Sequence, residues 1–160
     1  MKIVHVCLCG PYTDGFAYQD NILPQKHLEL GYEVNVLISQ RSFNNKGNII
    51  FRTCKNYKDS HGIEISIIPY DKHFGKVAIK LGIFKDLALK LNQMNPDIIF
   101  VHGLQFISIT DILTYKMKNK KVKIYVDNHA DYINTPLNSI KRRIIQKGLF
   151  GNIGKNLYHM

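Results

Sequence analysis

The sequence predicts an α/β fold, a mainly parallel sheet with helices on both faces. Three observations predict it. Short, nearly unbroken apolar runs recur at Lys2–Cys9, Glu33–Ser39, Asp97–His102 and Val122–Val126, the signature of strands buried on both sides. Longer segments between them repeat apolar residues every three or four positions, the period of an amphipathic helix. The first run then breaks at Gly10, Pro11, Asp14 and Gly15 before a helical pattern begins. Strand, glycine-containing loop and helix bring backbone N–H groups and a helix N-terminus towards an anion. The spacing of Gly10 and Gly15 matches neither GxGxxG nor a P-loop, so a plain βα turn stays open.

Taken in order, Ile3, Val4, Val6 and Leu8 make the first strand, with Cys7 and Cys9 expected on one of its faces. Tyr18 to Leu30 is helical through Ile22, Leu23, His27, Leu28 and Leu30; Pro24, lacking an N–H, should begin the regular helix or kink it. Gly31 suits the position after a helix, and Glu33–Ser39 completes a βαβ unit. Residues Gln40–Gly47 are polar and turn-rich, which predicts a loop. Asn48–Cys54 and Ile63–Pro69 are β-like, and Asn56, Asp59, Ser60 and Gly62 between them fit a hairpin or an excursion off the main sheet. From Phe74, the series Val77, Leu81, Phe84, Ala88 and Leu91 predicts one amphipathic helix, with Lys76, Lys80 and Lys90 off its apolar stripe. Asn95-Pro96 ends it. Asp97–His102 is the next strand, Phe106 to Lys118 the next helix, and Val122–Val126 a strand running into Asp127-Asn128-His129-Ala130-Asp131. Leu137–Lys147 is helical and basic.

With 160 residues the chain suits one α/β domain, expected over 1–160, and is too short for two. Cys7, Cys9 and Cys54 imply no disulfide framework and are read as reduced core residues of a cytoplasmic protein. No stretch approaches a membrane span. A net charge of +10 favours an anionic partner: nucleotide, nucleic acid or phospholipid surface. Nucleic acid is disfavoured, because the positive residues are dispersed and no RRM-type or helix-turn-helix pattern is present.

Four segments, KIVHVC, GPYTDGFAYQDNILPQKHLELGYEV, NPDIIFVHG and VKIYVDNHADY, carry a resemblance that covers most of the chain. Their order resembles the N-terminal half of a GT-B glycosyltransferase of the family-4 type. The resemblance implies a Rossmann-like domain, half of a two-domain enzyme, apparently truncated before the C-terminal domain that grips the nucleotide. It implies transfer from a nucleotide-sugar to a glycan or lipid-linked acceptor, with retention of configuration and without a metal or other cofactor. Asp14 and Gly15 would lie beside the donor phosphates through their backbone amides. His129 would be the catalytic residue facing the transferred sugar. Tyr18, His102 and Asp131 would face the acceptor. The single Gly15 departs from relatives with two adjacent glycines, and no Glu-x7-Glu pair is present, since the glutamates are Glu29, Glu33 and Glu64. By itself the chain is expected to be inactive.

Read without the resemblance, His129 and Asp131 also suit caps of an Asx-rich turn, and His102 a histidine bonded to backbone at a strand end. The helix Leu137–Lys147, through Lys141, Arg142, Arg143 and Lys147, suits either a peripheral contact with the inner membrane face or packing on the sheet. The competing function is a non-catalytic α/β binding or regulatory subunit that needs a partner chain.

Overall fold

The computed structural model describes residues 1–53 and 55–127. The apolar runs pair as strands β1 (Lys2–Cys7), β2 (Glu33–Ser39), β6 (Glu64–Ile68), β7 (Ile98–His102) and β8 (Lys123–Asp127). These five lie parallel in the order β6-β2-β1-β7-β8, and β5 (Tyr57–Lys58) runs antiparallel along the β6 edge. The fold is the Rossmann-like α/β sheet expected from the sequence. Helix α1 (Gln19–Glu29) links β1 to β2, α2 (Gly75–Leu81) and α3 (Leu87–Met94) precede β7, and α4 (Ile109–Lys118) precedes β8.

Alternation along β1 assigns the two faces. Val4, Val6 and Leu8 join Ile99, Val101 and the inward residues of α3 and α4, including Leu87, Leu91, Ile109 and Ile112. The other face gathers Cys7, Val34, Val36, Ile38, Ile65 and Ile67 against Tyr12, with Leu28 of α1 packed on it. Apolar side chains covered on both faces are what the unbroken runs require. Cys7 and Cys9 part company, because β1 ends at Cys7 and Cys9 packs on the opposite cluster.

Three expectations are corrected. Polar Arg41–Phe43, expected as loop, is strand β3, paired antiparallel with β4 (Ile49–Phe51) in a two-stranded hairpin outside the main sheet. It is held from outside: Tyr12 N–H donates to the Arg41 carbonyl at 3.0 Å and Phe43 N–H to Thr13 Oγ1 at 3.1 Å. Pro24 does not begin α1, the first of the two roles expected of it, but lies buried within the helix. The helix expected from Phe74 to Leu91 is divided, because Gly82 adopts φ +64° and Asp86 φ +61°. Between them, Phe84 N–H donates to Ser108 Oγ at 2.9 Å and Phe84 bridges to Tyr70. Phe84 still packs inward at the right spacing, but as part of a bridge rather than a helical turn.

Candidate functional site

The strand order reverses at β1: β2 lies to one side of it and β7 to the other. The loops after β1 and β7 therefore diverge, and in open α/β sheets ligands bind in the crevice this opens at the carboxyl ends. A hollow of about 510 Å³ is found there. Leu8 and Cys9 enter it just past the end of β1, Gln105 from the loop after β7, and Arg41 from the first position of β3. Lys76, Ile79 and Lys80 of α2 close its outer side.

Cys9 is not a nucleophile here. Burial pushes its thiol up to about 12, with Asp20 adding to the rise against a hydrogen bond from the Gln105 amide. Gly103, at φ +83°, is tight against it: a Cβ there would lie 2.9 Å from Cys9 Sγ. Glycine is what lets the two loops approach.

The loop after β1 is anchored through Asp14. Its carboxylate accepts from Tyr57 Oη at 2.8 Å and from Arg52 Nη1 at 3.1 Å. Arg52 also donates to Ser42 Oγ at 2.7 Å, so the hairpin, β5 and the first loop share one polar knot. Burial, and then the Asp14 carboxylate, push the Tyr57 phenol up, which keeps it a donor. Gly15 sits beyond the knot, exposed at φ +77°. The Asp14 and Gly15 amides donate to no acceptor among the described residues. Phe16 and Tyr18 follow as an exposed edge-to-face aromatic pair, their centroids 5.5 Å apart.

His102 is placed differently from Tyr18. It is buried at the end of β7, with Nδ1 3.4 Å from Asp20 Oδ1 in the first turn of α1 and Nε2 2.9 Å from His5 Nδ1. His5 Nε2 in turn lies 2.9 Å from His27 Nδ1. Three imidazoles thus run in series beneath the crevice, with Asp20 at its end. The Asp20 carboxylate faces His102 Nδ1 as a charged-group contact, and with the proton on that nitrogen His102 Nε2 accepts from His5, whose own Nε2 accepts from His27. Burial first, then His102 and His27, push His5 down to about 2, and burial also lowers His27. The hydrogen bonds between the rings take up the Nε2 lone pairs of His5 and His102 in this arrangement, and no group of three or more metal-ligating side chains forms among the described residues.

The structure thus brings His102, Asp20 and the loop after β1 to one edge of the sheet, while His129, Asp131, Lys141, Arg142, Arg143, Lys147 and Cys54 lie outside the described residues. Sequence reasoning missed His5, whose partners lie 22 and 97 positions away, and Arg41, whose segment reads as loop. No helix among the described residues is long and apolar enough to cross a membrane. Compared with family models, curated proteins and solved structures, the chain matches none, and its functional reading rests on its residues and geometry.

Proposed function

We infer that this chain is the N-terminal, acceptor-side domain of a retaining glycosyltransferase, moving a sugar from a nucleotide-sugar to a glycan or lipid-linked acceptor. One observation carries the reading: a hollow of about 510 Å³ lies at the carboxyl edge of a parallel sheet, where the strand order reverses. In this reading the Asp14 and Gly15 amides turn to the donor phosphates, and the second, nucleotide-gripping domain or subunit closes over them. Tyr18, with Phe16, offers an aromatic face of the kind that packs on a sugar ring. His102 acts through Asp20 rather than by touching substrate, holding that carboxylate at the start of α1. His129 supplies the group facing the transferred sugar, and Asp131 the acceptor. The protein works in the cytoplasm, with Lys141, Arg142, Arg143 and Lys147 against the inner membrane face.

The test uses the full-length gene product with a panel of UDP- and GDP-sugars and a polyprenyl phosphate acceptor. Release of nucleoside diphosphate is expected with at least one donor. The His129→Ala variant should fold normally and lose roughly 100-fold or more in kcat. Unchanged turnover in that variant removes His129 from the mechanism, and no donor consumption from any sugar overturns the reading.

A further inference from the structure

Among the described residues, the hollow is lined by three cations and by no carboxylate. Lys76 and Lys80 stand four residues apart on α2, a spacing that puts them on the same helix face, and Gly75–Leu81 contains no acid to offset them. Like charges so placed work against the helix they occupy. None of Arg41, Lys76 and Lys80 has a carboxylate within 4.0 Å among the described residues, although other lysines and arginines pair with acids. Arg41 is also held still. Its Nη2 donates to the Cys9 carbonyl at 3.0 Å, which fixes the guanidinium at the strand tip, while its buried Nε meets no acceptor. A guanidinium fixed in this way keeps its charge beside the hollow, where an anion would neutralise it.

We propose that this hollow binds a phosphoryl group, a phosphate or diphosphate ester, through Arg41, Lys76 and Lys80. Arg41 is the fixed donor, offering the planar geometry suited to phosphate oxygens, and the two lysines are mobile point charges around it. The remaining lining, Leu8, Cys9 and Ile79, is apolar and suits the body of the molecule that carries the phosphate. Exposed apolar side chains flank the same cations. Phe51 is paired opposite Arg41 in the hairpin, and Phe74 and Val77 border Lys76. That setting matches a phosphate on an apolar carrier. The anion chemistry stands on these cations alone; assigning it to the acceptor rests on the glycosyltransferase reading above.

The full chain is titrated calorimetrically with sodium pyrophosphate at about 0.15 M ionic strength. Saturable binding is expected, weakened at least about tenfold in Lys76→Gln/Lys80→Gln, whose two sites are exposed and should not disturb folding. Arg41→Gln should weaken it at least as much. A control with the same charge loss elsewhere, Lys118→Gln/Lys120→Gln, should bind as the parent does. Equal loss in the control, or no saturable binding, overturns the proposal. Vesicles containing phosphatidic acid separate the sources: displacement of pyrophosphate identifies a lipid-borne phosphate, and its absence a soluble one. Sugar transfer is not read in this experiment, so a negative result here leaves the glycosyltransferase reading standing and a positive one does not depend on it.

Discussion

Alanine at Gly82 is expected to lower the stability of this protein by roughly 3–5 kcal/mol, a fall of about 10 °C or more in Tm. Two costs add there. Gly82 holds φ +64°, which an L-residue adopts only under strain, and a Cβ would lie 2.4 Å from Phe106 Cβ and 2.9 Å from Phe106 Cα. The second of those atoms is backbone, so no rotamer change relieves the contact. Nor can the segment retreat, because Ile107 and Ser108 donate their amides to the Leu81 and Gly82 carbonyls at 2.8 and 3.1 Å. Thermal unfolding followed by circular dichroism reads the effect. A loss under about 1 kcal/mol would mean that the turn between α2 and α3 can open, and that its geometry is not what divides the helix.

The second large effect belongs to His5. Replacing it with alanine removes a fully buried ring and strips the neighbouring His102 Nε2 and His27 Nδ1 of their bonds, at a cost of roughly 2–4 kcal/mol near pH 7. The parent should also lose stability in acid. His5 is held neutral far below its ordinary range, at about 2, so between that value and about 6.5 the unfolded chain binds a proton that the folded one does not. The contribution of His5 is therefore fully present above about pH 6.5 and shrinks as pH falls, by at most about 1.4 kcal/mol per pH unit. Urea unfolding near pH 7 and near pH 5 should show a steep loss in the parent and a shallower one in His5→Phe, which keeps a ring but cannot titrate. Equal slopes in the two proteins would show that His5 is not the group being protonated.

The main sheet was legible because burial on both faces leaves a local mark. A strand such as Val34–Ile38 is apolar at almost every position, and no distant partner is needed to see it. Strand β3 left no such mark, since Arg41-Ser42-Phe43 is held in place by Tyr12 and Thr13, nearly 30 residues earlier. The divided helix shows the opposite failure. Its spacing is real, but the bond that Phe84 N–H donates to Ser108 Oγ and the left-handed backbone at Gly82 and Asp86 override it. Among the candidate site residues, Asp14, Gly15 and His102 stood out by their place in the loop after the first strand or at a strand end, whereas Tyr18 came only with the family resemblance. Lys76 and Lys80 read as a solvated helix face, and only the fold shows Arg41 and Gln105 converging on them.

The Asp14 knot bears on how a ligand would be received. A glycine-containing connection of this kind ordinarily has many conformations to lose when something docks against it. Here Arg52 and Tyr57 have already removed part of that freedom, so the entropy of ordering is charged to folding and not to the encounter. Freeing the carboxylate, as Asp14→Ala does, would leave the amides chemically intact yet dispersed over a wider ensemble, and whatever they recognise would be held more weakly for want of a ready-made cradle.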